Sequence, residues 1–318
     1  MNTSATAAAS ASKSGRAKIG LFKYVAKNRA LYLMLLPGLL YLLIFKYIPL
    51  LGSVLAFKEY DIFQGIWDSP WVGLQWFEEL FKYERFTRLI ANTLIISLYQ
   101  LIFSFPAPIL LACLLNELRI NSYKRIVQTV LYLPHFLSWT IIFGLAYVLL
   151  SVRMGLVNQV VEYFGYEKIQ FLLEPAYFRG MIVLSGVWKD MGWSSIIFLA
   201  ALAGINPVLY EAGRIDGAGR WRQFLHITLP GILPAIVILL LLRIGNILDL
   251  GFEHIYVFLT PITYQVGDVL DTFQYRAGVI EGQYSFTTAI GLFKSVIGFV
   301  LLVTANKISN KLTGDGLY

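Results

Sequence analysis

Glu211-Ala-Gly-Arg-Ile-Asp216-Gly217-Ala-Gly219-Arg-Trp-Arg-Gln-Phe224-Leu-His-Ile-Thr-Leu229-Pro230 is a polar, glycine-punctuated stretch held between two apolar runs. A short charged loop between membrane helices has no core to build, so its detail serves a partner or the bilayer surface. The stretch reads as a small helix-turn-helix. Asn206 is placed to cap, Pro207 suits a first helical position, and Val208, Ala212 and Ile215 fall on one face at i, i+4 and i+7. Gly217 and Gly219 break that helix. A second short helix is expected to follow, with Trp221, Phe224, Leu225 and Thr228 along one stripe and Arg220, Arg222, Gln223 and His226 away from it. It ends where Leu229-Pro230 opens the next apolar run. Two stubby amphipathic helices joined by a tight turn make a knob.

The rest of the chain explains why that loop stands alone. With 57% hydrophobic and only 14% charged residues over 318 positions, the chain is too apolar for a soluble globule of this length. Its mean hydropathy of +0.65 agrees. Apolar runs recur near residues 31–54, 89–115, 126–150, 181–205, 230–249 and 287–305, each long enough to cross about 30 Å of hydrocarbon as a helix. The prediction is an all-α polytopic membrane protein with six spans and both termini on one side.

Basic residues set the orientation. The N-terminal 30 residues, the loop 116–125, the Glu211 loop and the C-terminal tail together carry 14 Lys+Arg against 4 Asp+Glu. The opposite loops, 55–88, 151–180 and 250–286, carry 8 against 13. The positive-inside rule therefore places both termini and the Glu211 loop in the cytoplasm. The formal charge of +7 then reflects topology and does not point to nucleic acid. The first 20 or so residues are Ser/Ala-rich and read as disordered. No signal peptide is evident, because the first apolar run starts only near Leu31 and is long. The single cysteine, Cys113, rules out an internal disulfide and a cysteine metal cluster, and reads as a small packing residue.

Several chemistries are missing. There is no phosphate loop of the Gly-x-x-x-x-Gly-Lys-Ser/Thr type, and His135, His226 and His254 have no metal-binding spacing. The chain is therefore not expected to hydrolyse ATP by itself or to carry a cofactor. Gly192-Trp-Ser194-Ser195 invites a membrane serine hydrolase reading, which lacks a placed histidine; small serines in membrane helices serve packing.

The Glu211 stretch resembles the cytoplasmic loop of permease subunits of type I ABC importers. Glu211, Ala212, Asp216, Gly217, Ala218, Phe224, Ile227, Leu229 and Pro230 fall on that pattern, and Gly213 replaces a second alanine. The resemblance implies that this knob, centred on Glu211, Ala212, Gly213, Asp216, Gly217, Ala218 and Phe224, fits a cleft on an ATP-hydrolysing subunit. An interfacial helix lying on lipid headgroups is the plainer alternative. Further matches, Leu36-Pro37-Gly38, Phe45 to Pro49, Ala56-Phe57-Lys58, Asp268 to Arg276, Gln283 to Phe286 and Gly291 to Lys294, look like the oligosaccharide and polysaccharide branch, with coverage of about residues 30–318. That branch implies a second homologous permease chain, two ATPase subunits that bind ATP and Mg, and an extracellular solute-binding lipoprotein. It divides the chain into a cytoplasmic segment 1–30, a first helix with its extracellular segment 31–88, a transmembrane core 89–306 with the docking loop at 206–230, and a tail 307–318. The rival readings are an importer of the same fold for a non-sugar solute, and a stand-alone secondary transporter that would use acids such as Asp190 and Asp249.

Polar residues inside the spans are the candidates for a transport path. Trp188, Lys189, Asp190 and Trp193 sit together in the fourth span, where two indoles beside hydrogen-bonding groups suit a sugar. The competing reading has Lys189 and Asp190 pairing with other helices and the tryptophans anchoring at an interface. Arg243, Asn246 and Asp249 recur every three residues in the fifth span and are expected on one helical face, either as an inward-facing polar stripe or as an inter-subunit salt bridge at the outer end. Lys46 and Lys294 read as snorkelling or structurally paired.

Overall fold

The computed structural model describes residues 28–313, so the expectations for the N-terminal segment and the last residues of the tail lie outside the described residues. The chain divides into two units, residues 1–54 and 55–318. Most of α1 (Arg29–Phe57) belongs to the first unit; it is apolar on all sides, the composition of a helix that lipid surrounds. Its path passes through a π turn at Leu43–Tyr47 and a tighter 3₁₀ end at Gly52–Phe57.

The second unit is built from helices: α2 (Gln75–Lys82), α3 (Phe86–Asn116), α4 (Asn121–Phe136), α5 (Trp139–Leu150), α6 (Leu156–Tyr163), α7 (Pro175–Ala203), α8 (Pro207–Ile215), α9 (Arg220–Gly245), α10 (Phe252–Phe258), α11 (Leu270–Ile280) and α12 (Tyr284–Thr313). Among the described residues the only β pairing is a single bridge between Lys58 and Trp71. Five helices are long and apolar enough to cross a membrane, and α4 with α5 makes a sixth span if the pair is taken together.

That pair departs from the straight third span expected at 126–150. The pair is bent by 104° at the break. The break is built locally. Pro134 cannot donate a backbone N–H, a 3₁₀ turn closes α4 at Leu133–Phe136, and the Ser138 hydroxyl caps α5 by accepting from Ile141 N at 3.3 Å. From α7, Lys189 Nζ donates to the carbonyls of His135, at 2.7 Å, and Leu137, which the bend leaves without helical partners. Lys189 is thus buried as a clamp on the break, paired across helices as one of the two sequence readings had it.

Three apolar clusters hold the unit. One joins α2, the start of α3, α11 and α12 through Leu80, Phe86, Leu270, Phe273 and Ile290. Another joins α3, α7 and α10 through Ile96, Phe178, Ile182, Ile255 and Phe258. The third packs Ala112, Phe198, Leu202 and Ile232 at the other ends of α3, α7 and α9. Buried ions tie the segment after α9 to the bundle. Asp271 accepts from Leu250 N at 3.0 Å and pairs with Lys294, while Asp268 holds Arg276 at 2.6 Å and Thr272 at 2.8 Å. Lys294 is therefore a structural partner, and the Asp268 to Arg276 run is a buried polar frame.

Candidate docking knob and membrane cavity

The knob forms as a hairpin of α8 and the first turns of α9. Asn206 accepts from Val208 N at 3.0 Å, so the N-cap is the expected one. At the other end Ala218 N donates to Gly213 O at 2.8 Å and Gly217 N to Arg214 O at 3.1 Å. Gly217 sits between them at φ +74°, a left-handed conformation that favours glycine.

The expected second short helix is instead the beginning of α9. It does not stop at Leu229-Pro230; a π turn at Phe224–Thr228 carries it into the membrane span, because Pro230 falls in the first turn of the next α-helical stretch, where the missing N–H is tolerated. Gln223, expected to point away, faces inward and donates through Nε2 to Ala218 O at 2.8 Å. Tyr210 and Thr228 meet across the hairpin at 3.0 Å. Gly213 lies at the closest approach, where an added Cβ would stand 3.2 Å from Ile227 Cδ1. Val208, Ala212 and Ile215 therefore do not pack on the second helix. They face out with Trp221, and Ile215 is 86% and Trp221 70% exposed. Glu211 and Asp216 are exposed on the same knob, and Phe224 is half-buried, stacked on Trp221 at 5.4 Å. The structure brings the seven knob residues into one compact projection.

The second site is a cavity of about 650 Å³ among α3, α5, α7, α9 and the turn before α10. That volume lies in the roughly 300–1,000 Å³ range of small-ligand pockets. Asp190 and Asn246 line it; Trp188, Lys189 and Trp193 do not. Helical phase accounts for Trp188: Gly186, Asp190, Ser194 and Ile197 share the cavity face of α7, and at about 100° per residue position 188 falls on the opposite side. Position 193 lies at the edge of that face, where the His135 ring stands between the Trp193 indole and the cavity. Trp188 is 43% exposed, and Trp193 stacks on the His135 ring at 4.8 Å. Of the two readings the sequence left for these indoles, stacking in the path or anchoring, neither indole takes the first in this cavity.

Arg243, Asn246 and Asp249 all reach the cavity, yet not from one helix. α9 ends at Gly245, Asn246 caps it, and Asp249 comes from the following turn. Arg243 donates to Gln100 Oε1 on α3. His135 Nδ1 and Asp190 Oδ1 approach to 2.9 Å. Trp139 lines the cavity with His254 stacked on one face at 3.6 Å and the Lys189 ammonium 5.2 Å from its ring. Burial, joined by the nearby Lys189 charge, pushes His254 down to about 3, so its ring is neutral at ordinary pH. Gln100, Ser104, Trp139 and His254 escaped the sequence reading. A single polar residue in an apolar run carries no signal of the neighbour it will meet.

Comparison with known proteins follows the same outline. Residues 84–313 match the binding-protein-dependent transport system inner membrane component family. The polygalacturonan/rhamnogalacturonan transport system permease protein YteP of Bacillus subtilis (strain 168) is 48% identical over 292 residues, 92% of this chain and 91% of that protein. Protein LplB of the same organism is 47% identical over 92% of each chain. A crystal structure of a bacterial ABC transporter that imports the acidic polysaccharide alginate superposes with a TM-score of 0.85 at 42% identity, covering 92% of this chain and 99% of its own. A second, of the alginate transporter in complex with an alginate pentasaccharide-bound periplasmic protein, also has a TM-score of 0.85, at 41% identity over 93% and 99% of the two chains. With its spans, its projecting knob and a match over most of its length, the chain belongs to the binding-protein-dependent transport system inner membrane components.

Proposed function

We propose that the chain is one permease subunit of an ATP-driven importer of oligosaccharide or polysaccharide fragments, forming the membrane path with a second, homologous permease. The observation that carries the substrate class is the likeness, over more than nine-tenths of the chain, to permeases and transporters named for pectic polysaccharides and alginate. An extracellular lipoprotein delivers the sugar, and two separate ATPase subunits bind ATP and Mg. Both termini and the knob face the cytoplasm, in keeping with the basic asymmetry of the loops.

The chain's own contribution is mechanical and steric. The exposed apolar side chains of the knob, Ile215 and Trp221, with Glu211, Asp216, Arg214, Arg220 and Arg222 around them, offer the ATPase a mixed apolar and charged surface. Because α9 is continuous from Arg220 to Gly245, a shift of the knob moves the helix that carries Arg243 at its far end. ATP binding draws the knobs together, α9 rocks, and the cavity changes the side it opens to.

The test is reconstitution with the partner permease, ATPase and binding protein in proteoliposomes, followed by uptake of labelled oligogalacturonides. ATP-dependent uptake that needs the loaded binding protein is expected. Uptake of a non-sugar solute instead, or uptake on an ion gradient without the ATPase, would replace this reading with one of its rivals.

A further inference from the structure

The cavity holds a cation that no carboxylate pairs with directly, Asp249 and Asp190 acting on it only from farther away. Arg243 lies in α9 inside the membrane span, and among the described residues no acidic oxygen comes within 4.0 Å of it. A guanidinium in that setting is costly to keep and marks function. We propose that Arg243, Gln100 and Ser104 form a carboxylate-binding subsite that takes a uronate unit of the translocating chain. This rests on the carbohydrate reading of the importer and specifies which sugars its cavity favours.

The hydrogen-bond inventory of this wall is one-sided. Arg243 spends one of its five N–H donors on Gln100 Oε1, which turns the Gln100 amide so that its NH₂ lies on the other side. Ser104 Oγ is buried and has no partner. Both α3 residues come from a single π turn, Gln100–Ser104, a distortion often found where a helix serves a ligand. Donors left over on three neighbouring side chains suit a group that only accepts. A sugar hydroxyl both donates and accepts hydrogen bonds, whereas a carboxylate only accepts, through two oxygens that match the guanidinium fork.

The other lining groups give the subsite a direction. Asp190 lies 2.9 Å from His135, and Asp249 accepts from Gly251 N at 3.4 Å. Both line the same cavity, so they repel a carboxylate from their side and accept hydroxyls there. A uronate bound here directs its acid to α3 and its ring hydroxyls to Asp190 and Asp249. Neutral sugars keep the second set of contacts and lose the first.

The assembled importer in nanodiscs, with its partner permease and ATPases but without the binding protein, separates these contributions by equilibrium binding of trigalacturonate and its full methyl ester. Wild type is expected to prefer the acid by about tenfold or more, the size of a charge-assisted hydrogen-bond set. Arg243→Met should bring the acid-to-ester ratio close to one, and Arg243→Lys should keep part of it, since a point charge remains without the fork. Ser104→Ala removes a hydroxyl that bonds nothing in the chain. It should lower acid affinity by about two- to fivefold, and it carries the test if Arg243→Met does not assemble. Equal wild-type affinity for acid and ester, or a ratio that neither Arg243→Met nor Ser104→Ala lowers, overturns the subsite alone. Failure of the wild-type complex to bind either probe overturns the carbohydrate reading of the cavity itself.

Discussion

Single residues in this chain differ sharply in what they tolerate, and three glycines show it. Gly192 on α7 packs against the backbone of α4, and an added Cβ would fall on the Leu131 carbonyl. Gly192→Ala should therefore destabilise by about 2 kcal/mol or more, because backbone cannot move aside as a side chain does; lowered membrane abundance and Tm of the purified chain would register it. A Cβ at Gly213 would press closely only on the tip of Ile227, at 3.2 Å, which gives way easily, its other neighbours lying at 3.8 and 3.9 Å. Gly213→Ala is expected to dock the ATPase as well as wild type, and weakened co-purification would contradict this. Gly217 at φ +74° is different again, since proline is confined to φ near −65°. Gly217→Pro should insert normally yet lose ATP-coupled uptake; normal assembly with normal uptake would remove the knob from the coupling path. His254 adds a pH dependence. Its folded value is depressed to about 3 while the unfolded ring titrates near 6.5, so the unfolded state binds the extra proton between those values. Its stabilising share is complete above about pH 6.5 and is lost as pH falls toward 3. Replacing it by glutamine, which can still reach Ser185, should flatten the acid limb of a Tm-against-pH curve relative to wild type.

At the scale of elements, the broken α4–α5 pair depends on a residue from a third helix. Lys189 supplies the donors that two carbonyls lost at the bend, and its ammonium also lies over Trp139, which lines the cavity. Lys189→Met keeps the apolar stem and removes those donors. Each carbonyl left buried and unpaired costs about 1–3 kcal/mol, so this variant should show a clear fall in Tm. Lys189→Arg should recover part of it; if Lys189→Met is as stable as wild type, the clamp is not needed. The knob behaves differently, because its hairpin is local. The N-cap at Asn206, the glycine turn and the apolar spacing lie within one short stretch of sequence, and they were legible there. What was not legible was the end of the second helix, since a π turn at Phe224–Thr228 absorbs the approach to Pro230 and continues α9.

For the whole molecule, the asymmetry of basic loops predicts which surfaces face which side. In a Cys113→Ala background, an impermeant thiol reagent on intact cells should label Glu281→Cys and spare Ser122→Cys; both positions are exposed, and the reverse pattern would invert the topology. The all-helical class was legible in the sequence alone, because lipid leaves a backbone no way to satisfy its hydrogen bonds except within each helix; of the six apolar runs, five became single spanning helices and one a pair bent by 104°. Legible too were the knob and its family resemblance, which rest on residues close together in the chain. The cavity was a different matter. Asp190 and Asn246 were singled out as polar residues within apolar runs and do line it, but Trp188 and Trp193 do not, and Gln100, Ser104, Trp139 and His254, none of them sequence candidates, do. In a membrane span nearly every side chain is apolar, so periodicity barely separates the face toward lipid from the face toward a neighbouring helix. Only the rotation of each helix against the others, set by side-chain packing and by clamps such as Lys189, decides which polar groups meet.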